Sequence, residues 1–274
     1  MQQVSVQQLK ETAKKIRVDV VNSLFMAGSG HLGASLGLAD IFTTLYFHLL
    51  NHDPKNPDLP ERDRFILSIG HVAPVYYATL AHSGYFPIDE LASLRKLGSR
   101  LQGHPGKDHG LSGIELSAGS LGQGLSVAVG MALAAKIDKE NWTVCCLLGD
   151  GEPQEGSVWE AAMSASHHKL SGLIAVVDRN GVQIDGLTSD VMEIEPLRKK
   201  WESFAWSVFE CNGNDIESFI DAYKEAEMNS KGPSVILAKT EMGKGVPEIE
   251  NDYRWHGKVP DQNQAQRFVE QIMT

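Results

Sequence analysis

Two stretches decide how this chain is read: Thr143-Val144-Cys145-Cys146-Leu147-Leu148-Gly149-Asp150-Gly151 and Leu173-Ile174-Ala175-Val176-Val177-Asp178-Arg179-Asn180. Each is a short apolar run with no alternation of polar residues, and each ends in Gly, Asp or Asn. Strands apolar on both faces belong to a parallel sheet covered by helices on two sides. Helical spacing over 158–168 lies between them, so the unit reads strand, helix, strand. Working outward, 207–211, 216–228 and 234–238 repeat strand, helix and strand, while 65–68 is a short strand and 121–136 a Gly/Ala-rich helix. Further helices are expected over 9–26, 36–50, 75–83 and 264–272. The segment 51–64 has the Asn, Asp and Pro of a surface loop. The segment 96–116 is a Gly- and His-rich loop, and long loops inside compact domains are often functional. The expectation is one α/β domain over 1–274, a parallel sheet with helices on both faces.

Composition narrows the function classes. In 274 residues, 42% are apolar and 22% charged, an ordinary globular balance. With 25 Lys+Arg against 35 Asp+Glu the net charge is −10. The only dense basic cluster is Arg198-Lys199-Lys200, which argues against nucleic acid as a partner. No apolar run reaches the ~18 residues of a membrane span, and residues 1–5 lack a secretory pattern. Cys145 and Cys146 lie inside an apolar strand and read as small hydrophobes. Together with Cys211 they make an odd number of free thiols, which fits a reducing cytosol.

In open parallel sheets, ligands sit at the carboxyl ends of the strands. Asp150 and Asn180 occupy two such ends. A carboxylate and an amide oxygen are hard donors suited to Mg²⁺ or Ca²⁺, with Mn²⁺ also possible, and they leave positions for phosphate oxygens. Gly149 and Gly151 let a phosphate approach the backbone, and the helix beginning near Gly156-Ser157 would favour an anion. Taken singly, Asp-Gly and Asn-Gly are also common turn pairs.

Asn180 follows Asp150 by thirty residues, and this spacing resembles the thiamine-diphosphate signature of thiamine enzymes. The resemblance implies a divalent metal held by Asp150, Asn180 and the Val182 carbonyl, on the diphosphate of thiamine diphosphate. Seven blocks, in order, are similar to transketolase: Ser29 to Ala34, Asp63 to His71, Gly103-His104-Pro105, Gly119 to Gly124, Gly149 to Glu160, Asp178 to Gly186, and Trp255-His256-Gly257. Of the ten histidines, His48, His52, His82, His109, His167 and His168 read as ordinary surface or core residues. His31, His71, His104 and His256 fall in the matching blocks. By resemblance these four line the funnel to the cofactor's reactive carbon or, for His71 and His256, also reach its diphosphate. Imidazole suits work on sugar hydroxyls because it exchanges protons near neutral pH.

The same resemblance implies cofactor contacts from Gly119, Ser120, Leu121, Gly151 and Ile184, with Leu121 and Ile184 packed on the thiazolium. It implies that Glu155 and Glu160 join cofactors across the interface between subunits. For Leu121 and Ile184 the alternative is plain core packing, and for the two Glu residues a solvated helix face. Leu32, Ser35 and Ser120 stand where the family commonly has proline, and Ile69 where it has Asn; these changes bear on the substrate.

Residues matching the family's pyrimidine-binding half, with the Glu that hydrogen-bonds the cofactor's pyrimidine, are not found in this sequence. The resemblance therefore implies the N-terminal subunit of a split transketolase. A second polypeptide would carry the pyrimidine-binding domain, in a homodimer of heterodimers acting on sugar phosphates. A related ketol transferase or synthase with an unusual sugar, or a non-catalytic remnant, are the alternatives. Gly28-Ser29-Gly30-His31-Leu32-Gly33 spells a dinucleotide fingerprint, but that motif must follow a strand. Here a helix is expected before it, which argues against a nicotinamide cofactor.

Overall fold

The computed structural model describes residues 4–274. In chain order the regular elements begin with α1 (Val6–Ala27), α2 (Gly33–Gly37), α3 (Ala39–Thr44), β1 (Arg64–Leu67) and α4 (Ala73–Ser83). They continue with α5 (Gly124–Asp138), β2 (Val144–Gly149), α6 (Gly156–His167), β3 (Leu173–Arg179), β4 (Val182–Gln183) and β5 (Gly186–Leu187). The remainder are α7 (Thr188–Val191), α8 (Leu197–Ser203), β6 (Ser207–Asn212), α9 (Ile216–Glu227), β7 (Ser234–Lys239) and α10 (Gln262–Met273). Five strands form one parallel sheet in the order β1-β2-β3-β7-β6, and β4 and β5 make a small antiparallel hairpin.

Successive strand residues face opposite layers, so the apolar runs feed two cores at once. Cys145, Leu147, Ile174, Val176, Ile236 and Ala238 pack with α1, α3, α4, α9 and α10. Val144, Cys146, Leu148, Ala175, Val177 and Val235 pack with α5, α6 and α8. Both buried thiols are thus strand hydrophobes, and burial pushes them well above the usual thiol range. Connection handedness accounts for the two layers. The path β1, β2, β3, β6 advances in one direction with α5, α6 and α8 on one face. The return from β6 to β7 reverses direction, and a right-handed crossover then puts α9 on the other face.

The structure corrects two sequence expectations. The single helix expected over 36–50 is broken: α2 starts earlier, at Gly33, α3 follows, and Leu45–Leu49 forms a π turn closed by Leu50 N donating to Leu45 O at 2.8 Å. The break serves a close approach, since a Cβ on Gly37 would fall 2.8 Å from the Glu241 carbonyl oxygen. The helix expected from Leu121 starts at Gly124, because Gly122 takes a left-handed φ of 79° that no helix residue adopts. The hairpin at 182–187 and helix α8 were not expected from periodicity. The dinucleotide-like glycines follow a helix, with Gly28 as its left-handed C-cap. Among the described residues, no helix is long and apolar enough to cross a membrane.

Candidate active site

β2 and β3 are neighbours in register, with Gly149 opposite Asp178, so the Asp150 and Asn180 loops leave the sheet side by side. Asp150 is 2% exposed, and its Oδ2 accepts from Gly181 N at 2.6 Å. Asn180 Oδ1 accepts from Val182 N at 3.0 Å while its Nδ2 donates to Asp178 Oδ2 at 2.8 Å. Asp178 also accepts from Thr240 Oγ1. Burial, with the neighbouring Asp178 charge, pushes the Asp150 carboxyl up to about 7. Burial likewise raises Asp178 to about 6. Two buried carboxylates without a cation are costly, and among the described residues no Lys or Arg pairs with either. A divalent ion would relieve that cost. Among the described residues no group of three or more His, Cys, Asp or Glu could hold a metal. A cation here would therefore take Asp150, the Asn180 amide oxygen, a backbone carbonyl such as that of Val182, and oxygens from its ligand. The donor set fits a metal bridging to a diphosphate.

Sequence reasoning missed Glu152, which joins this loop to the next. It is 1% exposed. Its Oε1 accepts from Gly122 N at 2.6 Å and from the Ser68 hydroxyl, and its Oε2 accepts from Gly149 N at 3.2 Å. Gly124 N donates to Ser68 Oγ at 3.0 Å. One acceptor-only side chain thereby ties the end of β1, the 119–124 loop and the end of β2. An acid in a turn reads as solvated from sequence, and no local signal distinguishes this one.

The four histidines come from three loops and one strand end. His31, His71 and His256 form a triangle, with ring centroids 5.1 Å (31–71), 5.2 Å (71–256) and 5.6 Å (31–256) apart. The fourth, His104, stands over Gly119, where a Cβ would meet its ring at 3.7 Å. His31 is placed by Ser35, whose Oγ donates to the His31 carbonyl at 2.8 Å. His256 is brought in by the 241–257 segment, which docks through Gly243 N on Gly33 O at 2.8 Å. The Nδ1 atoms of His31 and His256 are buried without a hydrogen-bond partner, marking polar positions that a ligand can fill. The remaining expected contacts lie around this centre. Gly119 and Ser120 are exposed, Leu121 leans on the core, and Ile184 is 60% exposed at the tip of the β4–β5 hairpin. The stem of Glu155 lies against Gly122, and neither Glu155 nor Glu160 has an ion-pair partner among the described residues. A cavity of about 990 Å³ opens beside Asn180, and most of its charges pair off, as Arg179–Glu195, Arg198–Glu210 and Lys244–Glu241.

All four imidazoles are biased toward neutrality. Burial, then the facing His256, His104 and Arg95, lowers His31 to about 4. Burial, then the other three histidines, lowers His71 to about 3. Burial also lowers His104 and His256, with Arg95 adding to the effect at His104. In the unfolded chain these groups titrate near 6.5. Unfolding therefore takes up protons as pH falls from about 6.5 toward 3, so stability is full above that window and declines through it. The raised Asp150 and Asp178 carboxyls act in the opposite sense over the upper part of this window, so the histidine contribution is read by difference. The melting temperature of His71→Gln is expected to fall less, or rise more, than that of the unmodified chain as pH drops from about 6.5 toward 3. Equal slopes would contradict the titration.

An open parallel sheet with an Asp/Asn pair at adjoining strand ends, beside a cluster of histidines, is the arrangement of an α/β protein that takes its ligand at the carboxyl ends of its strands. Comparison with known proteins makes this specific. Residues 8–271 match the family model described as transketolase, thiamine diphosphate binding domain. The chain belongs to the transketolase family, of which it is the thiamine diphosphate-binding domain. It is 45% identical to one subunit of the apulose-4-phosphate transketolase of Actinobacillus succinogenes, over 98% of this chain and 97% of that one. It is 41% identical to the 6-deoxy-6-sulfo-D-fructose transketolase subunit SqwG of a Clostridium species, over 93% and 91%. The crystal structure of Campylobacter jejuni transketolase superposes with a TM-score of 0.92 at 35% identity, covering 98% of this chain and 43% of that one.

Proposed function

We propose that this chain is the thiamine-diphosphate-binding subunit of a two-polypeptide transketolase, which moves a two-carbon ketol unit from a ketose to an aldose. The observation that carries the reading is the placing of the Asp150/Asn180 pair and the four-histidine cluster along one edge of the sheet. Support for a second polypeptide comes from the relatives named as subunits, which the chain spans almost end to end. Their names describe sugars ending in a phosphate or a sulfonate, so an anionic sugar of that kind is the substrate class we favour. The partner would carry the pyrimidine-binding half, and the assembly would be a homodimer of heterodimers in the cytosol, where the free thiols stay reduced.

Asp150, Asn180 and the Val182 carbonyl would hold Mg²⁺ or a similar ion on the cofactor diphosphate, with Gly151, Gly119, Ser120 and Leu121 along its length and Ile184 at the ring. When bound, thiamine diphosphate supplies the carbon nucleophile and electron sink that ketol transfer requires. The protein's own work is positioning and proton handling. Neutral His31 and His104 exchange protons with sugar hydroxyls at the mouth, and His71 and His256 also orient the cofactor. Glu155 and Glu160 face the partner side.

The histidines provide the test. In the assembled enzyme, His31→Ala and His104→Ala are expected to lower kcat or raise the donor KM by roughly 10²-fold or more. His71→Ala and His256→Ala should also weaken cofactor binding. Four variants with unchanged kinetics would remove the site map.

A further inference from the structure

We propose that Glu152 is a positioning residue for the cofactor site: it bridges the Asp150 loop to the 119–124 loop and holds the two in their binding-competent arrangement before the cofactor arrives. The inference rests on reading the chain as part of a transketolase. It begins from a buried carboxylate that has no cation. Glu152 is 1% exposed, and among the described residues no Lys or Arg pairs with it. A charge placed this way is costly unless hydrogen bonds replace the water it gave up.

The hydrogen bonds come from three separate segments. Gly122 N donates to Oε1 at 2.6 Å, the Ser68 hydroxyl donates to the same oxygen, and Gly149 N donates to Oε2 at 3.2 Å. Ser68 Oγ in turn accepts from Gly124 N at 3.0 Å. Each donor adjoins a piece of the candidate site: Ser68 lies three residues before His71, Gly122 directly follows Gly119-Ser120-Leu121, and Gly149 directly precedes Asp150. The 119–124 loop reaches Glu152 by backbone alone. A Cβ on Gly124 would lie 2.5 Å from Ser68 Oγ, and one on Gly122 would lie 2.6 Å from Ser157 Oγ.

The loop has few other polar anchors. Among the described residues, no N–H of 119–122 donates to a backbone carbonyl. What fixes this stretch is the Glu152 carboxylate on Gly122 N, and the Ser157 hydroxyl donating to Gly122 O at 2.9 Å. Gly119 and Ser120 are exposed on its outer side, where a ligand can reach them. Only an acceptor-only side chain can serve three donors at one point. Glutamine keeps the size, but its amide nitrogen must face either Gly149 N or Gly122 N, so a donor meets a donor. Without the bridge, the cofactor would have to order the loop as it binds, and that ordering would be subtracted from its affinity.

The test uses the two-polypeptide assembly with Glu152→Gln and, as a milder second variant, Ser68→Ala. Calorimetric titration with thiamine diphosphate and Mg²⁺ is expected to show affinity lowered roughly ten- to hundredfold in Glu152→Gln. Ser68→Ala should lose less, and the double variant no more than Glu152→Gln alone, because Ser68 acts through the same carboxylate. Hydrogen exchange supplies a readout without cofactor. The peptide spanning 119–124 should exchange roughly tenfold faster or more in Glu152→Gln, and recover its protection once cofactor is bound. The strand 144–148 should exchange as before. At saturating cofactor kcat should return close to that of the unmodified assembly, since Glu152 lies behind the loops and is closed to substrate. Unchanged affinity and exchange in both variants would overturn the assignment. So would faster exchange of 144–148 along with the loop, which would mark a general structural role, or a kcat that stays low at saturation. If the unmodified assembly takes up no thiamine diphosphate, the transketolase reading itself fails and the assignment falls with it.

Discussion

Asp150→Asn is expected to leave the chain folded, at least as stable as the unmodified protein in the absence of cofactor, and unable to retain thiamine diphosphate. Asparagine preserves the shape and can still accept from Gly181 N, the 2.6 Å bond that anchors the loop. It removes a buried carboxylate whose ionisation burial and the neighbouring Asp178 charge oppose. Relief of an uncompensated buried charge tends to stabilise a fold. The functional consequence runs the other way on the proposed reading, in which the diphosphate charge would lose the cation joining it to the protein. Substitutions that merely support a metal ligand cost ~10- to 100-fold in affinity, so loss of the only carboxylate ligand should exceed about a hundredfold. Asn180→Ala should behave similarly for the cofactor. It should also lower stability, since Asp178 and Val182 N each lose a hydrogen-bond partner. Calorimetric titration with Mg²⁺ present gives the affinity, and thermal melts with and without cofactor give the two stabilities. Retained affinity in both variants would remove the metal assignment.

The strands were legible because burial on both faces demands continuous apolar runs, and 144–148 and 173–177 supply them. The Asp150/Asn180 pair was legible for a related reason: polar groups at adjoining strand ends need a ligand or a turn to justify them. The breaks were not legible. Nothing in 36–50 signals that Gly37, the last residue of α2, must approach the distant Glu241 carbonyl. Glu152 escaped for the same cause. A carboxylate that satisfies three donors from three loops is a property of loop assembly rather than of any local pattern. Periodicity records which face of an element is buried. It does not record which loops meet.

The isolated chain is expected to show no ketol transfer, and to gain it on mixing with a second polypeptide that carries the pyrimidine-binding half. On the proposed reading its residues would hold the diphosphate and metal and exchange protons with the sugar hydroxyls. The group expected to engage the cofactor's pyrimidine is assigned to the partner by resemblance alone. Assistance by one positioned acid or base is typically worth ~10²- to 10⁴-fold, and the loss of a second wall that fixes the cofactor adds to that. Ile184 and Met192 are 60% and 58% exposed, Leu187 and Val191 lie beside them, and Glu155 and Glu160 stand without ion-pair partners among the described residues. An exposed apolar lip of this kind is a patch that a partner can cover, while the exposed Glu155 and Glu160 stay solvated until then. Purified alone, the chain should self-associate or remain silent in a coupled assay with a ketose and an aldose acceptor. Once the second polypeptide is present, activity should rise in proportion to complex formed, and Ile184→Asp should raise the partner concentration needed to reach it. Robust transfer by the isolated chain would end the two-polypeptide reading. No gain with a partner shown to bind would leave the non-catalytic alternative, because the cofactor half would then be present and assembled without performing the reaction.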